Sequence, residues 1–232
     1  MKKESFTRFW LLLEDKKQTK KRANWVLKAI AKHHKNAKNI LELGTGLGQV
    51  LLHFPRNFEI YGLDNNDEYV KIAKRRIPRG KFFVSSMHNF KIDKKFDVIC
   101  SIYDSICFLK NFSQWKRTFN AVDEHLDAKG LFIFDTYTSD MLNHFKRQKP
   151  SMEEYAWGTI HDKALVKGNT LTWDFKVHEN VGKGKVKVHQ FLWKETLFPF
   201  TQIKSALLQR FKILEIRTLE KNRRIQFICQ KK

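Results

Sequence analysis

Apolar runs of strand length alternate with amphipathic segments over residues 16–137. The apolar runs occupy 39–44, 59–64, 81–86, 96–103 and 130–137, and the amphipathic segments occupy 16–36, 66–77 and 113–126. Ala23 and Ile30 fall on one face of the first predicted helix, and Ser113 is expected to cap the third. Because the strand-like runs are continuously apolar, we expect parallel strands covered on both faces. The pattern therefore predicts an α/β domain.

The pattern of apolar positions changes after Pro150. The elements predicted there are a hairpin over 169–180 and 185–196, a helix over 200–211, and two last strands joined by a polar turn at 220–222. The hairpin strands alternate polar and apolar residues, as antiparallel strands with one solvated face do. We therefore expect one domain over 1–232 that carries a small antiparallel β insert over 150–196.

Three glycines, Gly44, Gly46 and Gly48, directly follow the first predicted strand in the stretch ILELGTGLGQVLLHF. We expect them to form a tight turn before a helix, where the backbone can approach a ligand closely. Ligands of open α/β sheets bind at this carboxyl edge of the strands. Asp64 ends the second strand and can accept hydrogen bonds from both hydroxyls of a ribose. The default ligand is therefore a cofactor that contains ribose.

Two ribose-containing cofactors compete for this site. A dinucleotide fingerprint has the spacing G-x-G-x-x-G, whereas here Gln49 stands at the third glycine position. Glu42 precedes the first glycine by two residues and is a poor neighbour for a diphosphate. It suits the ammonium and sulfonium groups of S-adenosylmethionine, which has no phosphate. The combination of glycines, Glu42 and Asp64 favours S-adenosylmethionine.

These segments resemble the motifs of class I S-adenosylmethionine-dependent methyltransferases. The similar stretches are ILELGTGLG, EIYGLDNN, FFVSSMHNF, KKFDVICSIYDSICFLKN and HLDAKGLFIFDTYT, which together cover 40–137 almost continuously. The resemblance implies a Rossmann-like fold with a seven-stranded, mostly parallel sheet whose last strand is antiparallel. The insert over 150–196 is similar, with less specificity, to the small β lid of sugar-amine and related N-methyltransferases.

The resemblance also implies roles for individual residues. The implied cofactor-binding residues are Glu42 (for the loop or the ammonium), Gly44, Thr45, Gly46, Gly48, Asp64, Asn65, Ser86, Met87 and Ile102. Ser86 replaces an aspartate found in many relatives, so the adenine amino group is expected to lose a carboxylate partner. Trp10 or Phe9 is expected to supply the aromatic side chain that closes over the cofactor.

The methyl acceptor is less well specified, because methyl transfer from a sulfonium needs mainly alignment and a dry site. Tyr103 and Asp104 follow the fourth strand and are the candidate catalytic residues, and Tyr137 and Asp135 are the candidate substrate residues. The insert's aromatic residues either form its core or surround the substrate; they are Trp157, Trp173, Phe175, Phe191 and Trp193. Its histidines are expected to be solvated; they are His161, His178 and His189.

The net charge, the cysteines and the apolar runs limit which partners, metal sites and cellular locations are expected. The chain has 45 Lys and Arg against 24 Asp and Glu, a net charge of +21. We expect scattered surface charge that gives at most weak, non-specific nucleic-acid binding. Cys100, Cys107 and Cys229 are expected to be buried thiols, and no metal site is expected. The chain lacks a membrane-spanning apolar run and signal-peptide features, so we expect a cytoplasmic protein without membrane association.

The sequence thus predicts an S-adenosylmethionine-dependent methyltransferase that acts on nitrogen or oxygen of a small metabolite. One alternative is an RNA or protein methyltransferase, which the net charge favours. Another is a non-enzymatic cofactor-binding module with a basic partner surface. For the first function we expect an enclosed acceptor pocket bounded by Tyr103, Tyr137 and aromatic residues of the insert.

Overall fold

A seven-stranded sheet forms the centre of the protein in a computed structural model that describes residues 7–219 and 224–232. Its strands are β1 (Asn39–Leu43), β2 (Glu59–Asp64), β3 (Lys81–Val84), β4 (Phe96–Ser101), β5 (Leu126–Tyr137), β10 (Phe211–Leu219) and β11 (Arg224–Lys231). The spatial order is β10-β11-β5-β4-β1-β2-β3. All neighbours among β1 to β5 pair in parallel, and β11 alone runs antiparallel to both of its neighbours. The predicted fold class is confirmed.

Helices cover both faces of this sheet. Those in the described part of the chain are α1 (Thr7–Leu12), α2 (Lys16–His33), α3 (Asp67–Arg76), α4 (Phe112–His125), α5 (Leu142–Arg147) and α6 (Phe200–Leu208). One apolar cluster joins α4 and α6 to the sheet, and a second joins α2 and α3 to its other face. Phe134 and Phe227 pair across β5 and β11 with stacked rings 4.8 Å apart. Each such fully buried ring stabilises the fold by about 1.5–3 kcal/mol.

A second, four-stranded sheet lies between α5 and α6 along the chain. Its strands are β6 (Ser151–Tyr155), β7 (Gly158–Lys167), β8 (Thr170–Asn180) and β9 (Val186–Thr196), in the order β6-β7-β8-β9. Every pair of neighbours is antiparallel. The hairpin expected from the alternating pattern corresponds to β8 and β9. The sequence predicted the β insert that contains β6 and β7, but it did not predict these two strands separately.

Two local predictions were wrong. No α-helix follows the glycines: the chain turns and forms only a short 3-10 segment, Leu51–His53, before Pro55. Three glycines with positive φ and a proline that lacks an N–H leave too few helical residues there. The cap of α4 is Asn111, not Ser113, because the Asn111 side chain accepts the Gln114 N–H at 3.0 Å.

The predicted turn at 220–222 lies outside the described residues. The three cysteines are buried and free, as expected. Within residues 7–219 and 224–232, no helix is long and apolar enough to cross a membrane. Those residues also contain no cluster of three or more His, Cys, Asp or Glu side chains arranged to hold a metal ion.

Candidate functional site

A cavity of about 340 Å³ opens at the carboxyl edge of β1, β2 and β4. Its volume falls within the range of small-molecule sites. The loops after β1 to β4 form most of its wall, and Trp10, Trp193, Glu195 and Arg224 complete it. Of the predicted site residues, those lining the cavity are Glu42, Gly44, Thr45, Gly46, Asp64, Asn65, Ser86, Met87, Ile102, Tyr103 and Asp104.

The glycine loop is fixed by close packing as well as by hydrogen bonds. The N–H groups of Gly44 and Thr45 donate to the Leu63 carbonyl at 2.8 and 2.9 Å, which ties the loop to β2. Gly44 has φ +70°, and a Cβ there would lie 2.7 Å from the Ser105 Cβ. No larger residue fits this position without a shift of the loop after β4. Gly48 does not line the cavity and packs instead toward Ile77, the residue that directly follows α3.

Glu42 is a buried carboxyl group in the cavity wall, with 2% of its surface exposed. Its Oε2 accepts a hydrogen bond from the Thr45 hydroxyl at 2.9 Å. Burial raises the pKa of Glu42 to about 8, and the nearby carboxylates of Asp64 and Asp135 add to the effect. The carboxyl group is therefore largely protonated near neutral pH unless a cation binds beside it.

Asp64 lies at the end of β2 with both carboxylate oxygens held by backbone donors. Its Oδ2 accepts the Gly46 N–H and its Oδ1 accepts the Asn66 N–H, each at 2.9 Å. A carboxylate oxygen can accept two hydrogen bonds, so each retains one acceptor position. Burial raises the pKa of Asp64, while the backbone hydrogen bonds oppose that rise. The arrangement can accept two hydroxyl groups from a bound ligand.

Ser86 and Met87 form the part of the wall that follows β3. The Ser86 hydroxyl is hydrogen-bonded to Nδ1 of His88 at 2.6 Å. Met87 is buried, and its terminal methyl group lies near Gly44. Ser86 and Met87 therefore contribute an apolar surface with a single hydroxyl group, and no carboxylate, to this part of the cavity wall.

Tyr103 and Asp104 occupy the turn after β4 with positive φ values of 61° and 48°. A left-handed conformation at a non-glycine residue is uncommon and costs about 1–3 kcal/mol in strain. The Arg22 guanidinium lies 3.9 Å from the Tyr103 ring centre, and the Asp104 carboxylate forms an ion pair with Arg224. Burial raises the pKa of the Tyr103 hydroxyl. The strained turn brings both side chains to the cavity.

Asp135 and Tyr137, the predicted substrate residues, do not line the cavity. Asp135 is fully buried, and its Oδ2 accepts from Arg22 at 3.0 Å and from Arg224 at 2.6 Å. Tyr137 accepts a hydrogen bond from Arg224 at 2.9 Å and lies under its guanidinium. Both residues hold Arg224 in place from behind the cavity wall.

α1 connects the second sheet to the cavity. The Trp10 indole N–H donates to Gln49 at 3.1 Å, and its ring lies 5.1 Å from that of Trp193 on β9. Phe9 packs against rings of the second sheet, including His189 at 5.1 Å. Both aromatic residues expected near the cofactor therefore contact this sheet, and Trp10 lines the cavity.

The aromatic residues of the second sheet pack mainly with one another and with α1 or α5, and Trp193 alone among the five predicted ones lines the cavity. The solvated position expected for His189 was wrong. His189 is buried, and its Nε2 lies 3.1 Å from the Glu179 carboxylate. His161 and His178 are half-buried and pack together, with ring centres 4.7 Å apart.

Glu195 and Arg224 line the cavity but were not singled out from the sequence. Glu195 is an acid near the end of an alternating strand, which does not distinguish it from surface acids. Arg224 begins β11 as one of many basic residues. Its role depends on the pairing of β11 with β5, which places it opposite Tyr137.

Comparison with known proteins finds a matching family model and related proteins. Residues 40–130 match a family model described as a methyltransferase domain. The dTDP-3-amino-3,4,6-trideoxy-alpha-D-glucopyranose N,N-dimethyltransferase of Streptomyces venezuelae is 24% identical over 44% of this chain and 43% of its own length. The alignment thus spans less than half of that relative.

Solved structures match over nearly the whole chain. An S-adenosylmethionine-dependent methyltransferase from Clostridium acetobutylicum has a TM-score of 0.84 at 18% identity, covering 97% of this chain and 95% of its own. The sugar N-methyltransferase KedS8 from Streptoalloteichus sp. has a TM-score of 0.83 at 18% identity, covering 100% and 94%. At this level of identity the likeness establishes the fold alone.

Proposed function

We propose that this chain, whose residues 40–130 match a methyltransferase-domain family model, uses S-adenosylmethionine to methylate nitrogen or oxygen of a small metabolite. The observation that carries the proposal is the charge of the cavity. The chain has a net charge of +21, yet four carboxyl residues line the cavity against one cationic side chain among the described residues, Arg224. Those four are Glu42, Asp64, Asp104 and Glu195.

The residues present fit S-adenosylmethionine better than a dinucleotide. The Asp64 carboxylate, and Glu42 once a cation binds beside it, attract an ammonium and a sulfonium, whereas they repel the diphosphate of NAD. Glu42 would hold the ammonium, with Gly44, Thr45 and Gly46 around the methionine part. Asp64 and Asn65 would bind the ribose, Ser86 and Met87 would contact the adenine, and Ile102 and Tyr103 would lie beneath the sulfonium. The cofactor supplies an electrophilic methyl group when it is bound.

The chain's own contribution to the reaction is alignment and exclusion of water. Trp10 and Trp193 meet at the cavity with ring centres 5.1 Å apart, so α1 and the second sheet together restrict access. Tyr103 and Asp104 would contact the acceptor from the turn after β4. Holding two reactants in line can supply a large part of the rate enhancement. We include the second sheet in this proposal as a lid within a single domain over 1–232.

A small acceptor fits the site better than a nucleic acid. Among the described residues no lysine lines the cavity and Arg224 is its one basic side chain, so nearly all of the described basic residues lie outside it. The relative from Streptomyces venezuelae is named for dimethylation of a sugar nitrogen. That name, together with the acidic cavity, favours nitrogen over oxygen as the acceptor atom.

Calorimetry with S-adenosylhomocysteine tests the proposal. We expect micromolar binding, about −8 kcal/mol, whereas NAD should not bind. Because Glu42 has a pKa of about 8, binding the ammonium at neutral pH should release about one proton. Buffers of different ionisation enthalpy measure that release, and Glu42→Gln should abolish it. Binding of NAD in preference to S-adenosylhomocysteine would overturn the proposal, and binding without proton release would remove Glu42 from the ammonium site.

A further inference from the structure

Glu195 reaches the cavity from the second sheet. It lies on β9, opposite Leu171 of β8. Because Glu195 follows Trp193 by two residues, the side chains of Glu195 and Trp193 face the same side of the sheet. The next residue, Thr196, donates its hydroxyl to the Lys110 carbonyl at 3.4 Å, which joins this end of β9 to the loop after β4. Glu195 is therefore held in the cavity wall, with 4% of its surface exposed.

The cations around the cavity are engaged by other acids. Arg224 pairs with Asp104 and Asp135, and Arg22 pairs with Asp135. These two arginines and two aspartates balance in formal charge. Among the described residues, no lysine, arginine or histidine lies within ion-pair distance of Glu195. When it is ionised, the Glu195 carboxylate has no balancing cation in contact among the described residues.

The hydrogen bonds of Glu195 are incomplete as well. The Trp173 side chain lies near the carboxyl group and lowers its pKa, but Oε2 has no hydrogen-bond partner in the described residues. A buried carboxylate oxygen without a donor costs free energy, and a ligand that donates there recovers it. A cationic donor recovers more than a neutral one, because it also balances the charge.

The surroundings of Glu195 shift its ionisation toward neutral pH. Burial and, to a lesser extent, the Asp104 carboxylate raise its pKa to about 8, while Arg224 opposes that rise. Among the described residues, Glu195 also has the buried Cys107 thiol as a neighbour, and burial raises the pKa of that thiol well above its usual value. A group with such a pKa can exchange a proton with an amine near neutral pH.

We propose that Glu195 binds the ammonium form of the methyl acceptor and takes the proton that must leave before the nitrogen can react. The inference rests on the proposed function. In this step the N–H bond of the ammonium breaks and an O–H bond forms on the Glu195 carboxylate. The electron pair of the broken bond stays on nitrogen, which becomes a neutral amine. Glu195 then returns the proton to solvent.

The direct test uses cyclohexylamine as a cationic probe and cyclohexanol as its neutral match, on protein loaded with S-adenosylhomocysteine. We expect Glu195→Gln to weaken cyclohexylamine binding by about tenfold or more, with little effect on cyclohexanol. Glu179→Gln is the matched control, because Glu179 is an equally buried carboxylate of the same sheet that does not line the cavity. It should bind both probes and S-adenosylhomocysteine as the parent protein does.

A titration without acceptor supplies a second readout that a purely structural role would not affect. Tryptophan fluorescence of the loaded protein should change with an inflexion near pH 8, because Trp173 lies beside the titrating group. Glu195→Gln should lose the inflexion, Glu195→Asp should keep one, and cyclohexylamine should move it to lower pH.

Equal cyclohexylamine binding by the parent protein and Glu195→Gln would overturn the inference, and so would no cyclohexylamine binding by the parent protein. The same fluorescence titration in the parent protein and Glu195→Gln would also contradict it. Failure of the parent protein to bind S-adenosylhomocysteine would instead contradict the proposed function, so the two failures are distinguishable.

Discussion

Asp135→Asn is expected to lower the free energy of unfolding by about 3–5 kcal/mol, the usual cost of breaking a buried ion pair from one side. Asp135 is fully buried and accepts hydrogen bonds from both Arg22 and Arg224. Its Oδ1 also lies 3.3 Å from the Asp104 backbone nitrogen, which donates to it. The asparagine has nearly the same volume, so the expected loss comes from charge and not from a cavity.

Urea denaturation at neutral pH measures this effect, and Asp123→Asn is the control. Asp123 lies in longer, partly exposed ion pairs with Arg210 and Lys231, at 3.6 and 3.9 Å. Its replacement should cost at most about 1 kcal/mol. If Asp135→Asn is too unstable to purify, the double variant Asp135→Asn/Arg22→Met should recover part of the stability. Equal stability of Asp135→Asn and the parent protein would contradict the buried network.

Asp64→Ala is expected to weaken S-adenosylhomocysteine binding by about 1.5–3 kcal/mol, the worth of hydrogen bonds to a charged group. That loss corresponds to a rise in Kd of about 10- to 150-fold. The physical reason is that two ribose hydroxyls lose a carboxylate acceptor. The variant also removes the hydrogen bonds that Asp64 receives from Gly46 and Asn66, which fix the glycine loop.

Calorimetry on folded Asp64→Ala and Asp67→Ala measures the effect. Asp67 is an exposed acid of α3, paired with Lys71 and absent from the cavity wall. It therefore controls for the loss of one negative charge close to the site. Unchanged affinity in Asp64→Ala, or an equal loss in Asp67→Ala, would contradict the ribose assignment.

The order of elements and most of the cofactor side could be predicted because they depend on local sequence. Continuous apolar runs specify parallel strands, and the carboxyl ends of such strands meet at one edge. Asp64 and the glycines lie at that edge through their positions in the chain alone. The positive φ values of Gly44 and Gly46 follow from the tight turn that this connection requires.

The acceptor side could not be predicted to the same extent, because it depends on contacts between distant segments. Arg224 reaches the cavity only because β11 inserts beside β5, and that pairing leaves no local pattern in the sequence. Asp135 was expected to face substrate, but two arginines that lie far from it in the chain surround it. Glu195 becomes buried only where the end of β9 meets the loop after β4.

Competing signals in the local sequence explain the two wrong local predictions. Asn111 and Ser113 are both good helix caps, and the sequence alone does not decide between them. The expected helix after the glycines fails because left-handed glycines and Pro55 divide the segment. Both errors leave the sheet unchanged, since its strands are specified by apolar runs outside these segments.

A crystal structure of the protein with S-adenosylhomocysteine tests the central claim most directly. We expect the ligand to occupy the cavity at the carboxyl edge of β1, β2 and β4. Both ribose hydroxyls should lie within hydrogen-bond distance of the Asp64 carboxylate, about 2.5–3.0 Å, and the ammonium beside Glu42. Ligand bound elsewhere on the protein, or bound in the cavity with its ribose away from Asp64, would contradict it.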